Sequence, residues 1–117
     1  MLQIDLQGKK VLVTGGSKGI GAEICRKLGA CGADVFINYN SNKQSAEKLS
    51  QEISNAYGVK TGIAGADVSN SEQIKAMFTK MDAEFGGIDI LVNNAGTESI
   101  HHILDLEEQE WDRVINV

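Results

Sequence analysis

The sequence predicts an α/β fold in which an open, mostly parallel sheet carries helices on both faces. Short apolar runs alternate with segments of helical periodicity along the chain, and the first run ends in a glycine-rich turn. Each run is followed by one helix-sized segment. That spacing forces neighbouring strands parallel, because a strand returns parallel only through a crossover, and crossovers are right-handed. The chain of 117 residues suffices for one domain, spanning 1–117. Its four strands are few for a doubly wound sheet.

The first element, KKVLVTG at 9–15, is an apolar run that reads as a strand buried on both faces. From Gly19 the period changes, with Ile20, Ile24, Leu28 and Cys31 at helical spacing until Gly29 and Gly32 break it. DVFINY at 34–39 is the second strand. Ser41 and Gln44 form a capping box that opens a helix with Leu49, Ile53 and Tyr57 on one side. Residues 61–67 make a weak third strand, supported by the alternation alone because two interior glycines lower its propensity. Ser69 and Glu72 form a second capping box before the clearest amphipathic stripe, Ile74, Met77, Phe78, Met81 and Phe85, which reads as core. IDILVNNAG at 88–96 is a fourth strand running into a loop, and a last helix starts near Leu106. In the closing EWDRVINV, Trp111, Val114 and Ile115 sit at i, i+3, i+4 with no stop signal after them. The domain is therefore expected to be truncated at its C-terminus.

A net charge of −5 without a run of Lys or Arg argues against nucleic acid or an anionic membrane as a partner. No stretch approaches the ~18 consecutive apolar residues of a membrane span, and the first residues lack a signal peptide's apolar core. A cytoplasmic location is expected. Cys25 and Cys31 fall in one helix at a separation that suits neither a disulfide nor a metal, so they read as buried free thiols.

The functional signal lies in TGGSKGIG. Gly15 permits a tight turn, Gly19 lets backbone approach a pyrophosphate, and Gly21 allows the helix to pack closely, while the free N–H groups of the helix start face the anion. A glycine turn alone can be purely structural; its place after a buried strand and before a helix is what points to a dinucleotide. At the end of the second strand, where an acidic side chain would bind the adenosine ribose of NAD, the residues are Asn38, Tyr39, Asn40, Ser41, Asn42 and Lys43. Neutral donors at Asn40 and Ser41, with Lys43 and Lys18 nearby, favour the 2'-phosphate of NADP over NAD. Solvated lysines and a simple cap at Ser41 are the plainer alternative.

TGGSKGIG, the pair Asp67–Val68, NNAG at 93–96 and EWDRVINV together resemble the short-chain dehydrogenase/reductase family, and within it the bacterial beta-ketoacyl-acyl carrier protein reductases. The resemblance implies a Rossmann-like NAD(P)-binding domain. Gly15, Ser17, Lys18, Gly19, Ile20 and Gly21 would wrap the pyrophosphate and adenosine side, Asp67 would bond the adenine amino group with Val68 beside the ring, and Asn93, Ala95 and Gly96 would line the ribose and nicotinamide approach. Asp67 as a helix cap and Asn93 as a strand-end brace are the structural alternatives.

The family's hydride transfer uses a Tyr and a Lys four apart on a helix, a Ser and a relay Asn. The one Tyr-x-x-x-Lys here, Tyr39 to Lys43, lies beside the adenosine end and has no Ser a dozen residues upstream, so it is a decoy. Matched on Trp111, Asn116 occupies a variable polar place, and the relay Asn would follow Val117. The chain thus resembles the cofactor-binding half of an NADP-dependent 3-oxoacyl-type carbonyl reductase, with no catalytic residue in it. Its parent's substrates would be small carbonyls or acyl carrier protein-linked groups. A catalytically inactive nucleotide-binding or assembly module is the alternative, and a methyltransferase or sugar-nucleotide enzyme is disfavoured by NNAG and the glycine spacing. The exposed fourth-strand edge and the last helix's apolar face point to a homo-oligomer.

Overall fold

The computed structural model describes residues 4–94. The expected last helix, with Trp111, Val114, Ile115 and Asn116, lies outside the described residues, as do Ala95 and Gly96. The elements run β1 (Lys10–Thr14), α1 (Gly19–Ala30), β2 (Asp34–Tyr39), α2 (Lys43–Tyr57), β3 (Thr61–Gly65), α3 (Ser71–Phe85) and β4 (Ile90–Asn93). All four strands are parallel, in the order β3-β2-β1-β4. The chain winds outward from β1 to β3 and then returns through α3 to place β4 on the other side of β1. The reversal puts a topological switch point between β1 and β4, the place where open α/β sheets generally take their ligands.

Alternation along the central strands sorts the core into two layers. Val11, Val13, Val35 and Ile37 face Ala22 and Cys25 of α1 and Ala46, Leu49 and Ile53 of α2. Leu12, Phe36 and Ala64 face the other way, onto Met77, Met81 and Phe85 of α3. The sheet is covered on both faces, which is why its central strands read as continuous apolar runs. Of the expected α3 stripe, Met77, Met81 and Phe85 are core, Phe78 packs at its margin and Ile74 is half-buried.

Several local expectations are corrected. The helices after β2 and β3 are capped by Asn42 and Asn70, not by boxes at Ser41 and Ser69. Asn42 accepts from Ser45 N at 3.0 Å, and Asn70 accepts from Glu72 N at 3.0 Å and Gln73 N at 3.1 Å. In both cases the helix starts one residue later, and the short amide side chain does what the serine was expected to do. Gly29 does not break α1 but lies buried inside it, where an added Cβ would sit 2.6 Å from Ile53 Cγ2. The inner face of α1 is built from Gly21, Ala22, Cys25 and Gly29, so Ile20, 75% exposed, is not part of it. Small residues let this helix sit close to the sheet and to α2. Arg26 and Glu52 then tie α1 to α2 on the outside, Nε to Oε2 at 2.6 Å. Both thiols are free, but only Cys25 is buried; Cys31 ends the helix half-exposed.

The glycines that weakened β3 as a sequence prediction have a packing role. Gly62 and Gly65 pair in register with Phe36 and Tyr39 of β2. Built onto Gly62, a Cβ would lie 2.9 Å from the Phe36 ring, and on Gly65 it would lie 3.0 Å from the Tyr39 ring. Phe36 in turn meets Phe85 edge-on, with ring centroids 5.3 Å apart. The missing side chains are replaced by the neighbours' aromatic rings, an arrangement known to rescue glycine near a sheet edge.

Strand propensity alone predicts that Gly62→Ala stabilises the protein. Because Phe36 is fully buried and cannot swing away, we expect the reverse, a loss of about 1–3 kcal/mol from overpacking. Urea unfolding should show it, and the loss should shrink when Phe36 is replaced by Leu in the same chain.

Candidate functional site

The carboxyl ends of β1 to β4 carry the loops in which sequence placed the site. After β1 the chain turns through Gly15 at φ +59° and Gly19 at φ +54°, a left-handed backbone that side chains rarely adopt. Open space surrounds Gly19, since a Cβ there would meet nothing within 4 Å. Gly21, by contrast, faces Gly15 O and Asn94 Nδ2 so closely that any side chain would overlap both. The close packing expected of Gly21 is therefore against the turn itself and against the end of β4.

The helix that begins here differs from the other two. α1 has Lys18 at its N-cap position with no side-chain cap bond, and no acidic residue in its first turn, whereas α2 and α3 are capped by asparagines. A helix start leaves N–H groups without intrahelical acceptors, and the helix dipole concentrates positive potential there. At α1 these groups open onto the space beside Gly19, with the exposed Lys18 at its rim. Such an end is suited to an anion.

Residues that sequence reasoning did not single out hold the turn in place. Asn38, at the end of β2 and 2% exposed, accepts from Gly15 N through Oδ1 at 3.0 Å. Its Nδ2 donates to Ala66 O at 3.1 Å and to Ala64 O at 3.3 Å, and its backbone carbonyl accepts from Gly16 N at 3.0 Å. On the far side Asn94 donates through Nδ2 to Gly15 O at 3.3 Å and through its backbone N–H to Thr14 Oγ1 at 3.0 Å. Thr14 Oγ1 donates to Val92 O at 3.4 Å. The sequence signal for Asn38 is a polar residue closing an otherwise apolar buried strand, a position that demands internal partners.

The remaining expected residues lie along the same edge of the sheet. Asn40 and Ser41 are exposed beyond β2, while Asn38 and Asn42 are taken up by the interior and the α2 cap. Lys43 lies 3.8 Å from Glu47, on the outside of α2. Asp67, after β3, accepts at Oδ1 from Ser69 N at 2.9 Å and Ser69 Oγ at 2.6 Å, and its N–H donates to Gln73 Oε1 at 2.8 Å. It shapes the loop before α3, and Asn70 does the capping. Val68 and Ser17 are half-buried and Ile20 is exposed. Asn93 is exposed at the end of β4, opposite Thr14, so of the two asparagines it is Asn94 that braces the turn. Tyr39 ends β2 and Lys43 begins α2, so this pair does not share a helix turn. Among the described residues there is no cluster of His, Cys, Asp or Glu suited to a metal, and no helix long and apolar enough to cross a membrane.

Below the turn lies Cys25. Its Sγ donates to Gly16 O at 3.7 Å, and burial pushes the thiol from 9.0 up to about 12, against a smaller downward pull from Arg26. An un-ionised thiol is a poor nucleophile, so Cys25 is packing material for the turn.

Comparison with known proteins gives the family to which this chain is similar. Residues 9–117 match the family model described as short chain dehydrogenase. The chain is 43% identical over 113 residues to 3beta-hydroxysteroid dehydrogenase 1 of Eggerthella lenta, which covers 97% of this chain and 43% of that protein. It is 41% identical over 108 residues to 3-oxoacyl-[acyl-carrier-protein] reductase FabG of Staphylococcus aureus, covering 92% and 44% respectively. The chain thus spans less than half the length of these relatives. Among solved structures it is similar to L-sorbose reductase from Gluconobacter frateurii, complexed with NADPH and L-sorbose, at TM-score 0.78 and 29% identity, over 94% of this chain and 41% of that one. It is also similar to the NADPH-dependent 3-quinuclidinone reductase from Rhodotorula rubra, at TM-score 0.71 and 28% identity, over 76% and 33%.

The raised Cys25 thiol makes stability depend on pH. The unfolded chain ionises first, so the contribution is intact below pH 9 and is lost as pH rises toward about 12. Urea midpoints should fall more steeply above pH 9 in the native sequence than in Cys25→Ala. Iodoacetamide at pH 8, read by peptide mass spectrometry, should modify Cys31 and spare Cys25 until the protein unfolds.

Proposed function

The chain belongs to the short-chain dehydrogenase/reductase family, and from that premise we propose that it is the NADP-binding portion of a carbonyl reductase of 3-oxoacyl type. The observation that carries the proposal is the uncapped start of α1 beside Gly15 and Gly19, an end suited to an anion where the other two described helices are capped by asparagines. The diphosphate would lie on the N–H groups of that first turn, with Ser17, Lys18, Ile20 and Gly21 around it. Asn40 and Ser41, exposed after a strand that ends without a carboxylate, would take the ribose 2'-phosphate together with Lys18. NAD is the less suited cofactor for the same reason. Asp67, fixed in orientation by Ser69 and Gln73, would present its carboxylate to the adenine amino group, with Val68 against the ring. Asn93, Ala95 and Gly96 would line the nicotinamide approach.

The cofactor supplies a hydride; the residues here bind and orient it. Among the described residues none is assigned to proton transfer, since Tyr39 ends β2 and Lys43 begins α2, so this pair does not share a helix turn. Substrates of the full enzyme would be small carbonyl compounds or acyl groups carried on a protein, and its setting the cytoplasm. Among the described strands β4 is at the edge of the sheet, and such an edge would favour self-association, which light scattering after size exclusion would reveal as a dimer or larger species.

Titration with NADPH followed by amide NMR should move Gly15 to Gly21 first, and 2',5'-ADP should bind at least fivefold more tightly than 5'-ADP. Gly19→Val, which forces a β-branched residue into a left-handed backbone, should weaken NADPH at least tenfold. Silent turn amides, or equal affinity for the two ADP forms, would overturn the dinucleotide assignment or the NADP preference respectively. The 117-residue chain alone should give no turnover of acetoacetyl substrates above the protein-free rate.

A further inference from the structure

We propose that Asn38 is a positioning residue that couples the glycine turn to the loop carrying Asp67, so that a ligand held at one segment orders the other. The inference rests on the dinucleotide reading for the ligand, but the bonds that would carry the coupling lie within the protein. The side-chain amide of Asn38 is planar and buried, and its two ends serve different segments. Oδ1 holds Gly15 N–H at 3.0 Å, in the residue whose positive φ sets the turn. Nδ2 holds Ala66 O at 3.1 Å and Ala64 O at 3.3 Å, the backbone directly before Asp67.

Only one orientation of this amide satisfies its neighbours. An amide N–H at Gly15 needs an acceptor, and the carbonyls of Ala64 and Ala66 need a donor, so flipping the group would break every bond at once. The backbone of the same strand reinforces the link, since Gly16 N donates to Asn38 O at 3.0 Å and Ala66 N donates to Tyr39 O at 2.9 Å. A shift of Gly15 toward an anion therefore turns the amide and is felt at Ala66. By reciprocity, fixing Asp67 on a base steadies the turn. Asn38 touches no ligand in this scheme; it sets where the residues that do so stand.

Inorganic pyrophosphate tests this, because it can occupy the turn yet has no base to reach Asp67. In the native chain, amide resonances of Gly15 to Gly21 and those of Ala66 and Asp67 should move with one common midpoint. In Asn38→Asp, which keeps an acceptor for Gly15 but loses the donors to Ala64 and Ala66, the turn should still respond while the Ala66 and Asp67 shifts fall to a third or less. Asn38→Ser, which removes the bridge without a buried charge, serves if the first variant does not fold. Unmoved Ala66 and Asp67 in the native chain, or equal shifts in the variants, would overturn the coupling. If pyrophosphate moves no turn amide, the dinucleotide reading fails, and hydrogen exchange without ligand decides the coupling. Gly15 and Ala66 should then exchange at least tenfold faster in the variant while Val11 to Val13 keep their rates; unchanged rates would sink it.

Discussion

A single buried primary amide fixes the end of the sheet where the site lies. Asn38 brings together the ends of β1, β2 and β3 by bonds to Gly15, Ala64 and Ala66. Thr14 and Asn94 extend the same tie to β4. Elsewhere the central strands meet the helices through apolar side chains, whose attraction is non-directional and fixes position only loosely. The polar ties are directional, and a buried polar group left unpaired is destabilising. The labour is divided: the apolar layers keep the domain folded, while the hydrogen bonds at one edge hold the loops there in fixed positions relative to one another.

The three helix starts show how that geometry is put to use. Asn42 and Asn70 close α2 and α3, so those ends have what they require from the chain itself. α1 has neither a side-chain cap nor an acidic residue in its first turn, and it starts just after β1, one of the two strands at the switch point. Membership of the short-chain dehydrogenase/reductase family is consistent with this arrangement, and the NADPH named for two similar structures is a ligand of the charge such an end would take.

Much of the fold was legible in the residue pattern. Strand β2 was read with its bounds, and the α3 stripe identified its own core face, because both signals are local and strongly periodic. Of the expected α1 face, Ile24 and Leu28 do pack against the core, but Ile20 does not, and Ala22, Cys25 and Gly29 bury more deeply than any of them; periodicity weights size, whereas close helix packing selects for its absence. The caps slipped by one residue because Ser and Asn compete for the same role and only backbone geometry chooses between them. The glycine turn could be seen because its function depends on residues adjacent in sequence. The partners of Asn38 and Asn94 could not, as they lie 23 and 79 positions away; for Asn38 the polar end of an apolar strand marks only that partners are needed. The placement of Ala95 and Gly96 falls outside the described residues.

The pairing of glycines on β3 with aromatic rings on β2 bears on how such a sequence can change over time. Gly62 with Phe36, and Gly65 with Tyr39, each divide one fixed volume between two positions. A mutation that enlarges one member is tolerated only after its partner has shrunk, so the two sites drift together rather than independently. The strand that looks most permissive on paper is thus among the least free to vary, and its history should be readable as correlated exchange across the sheet.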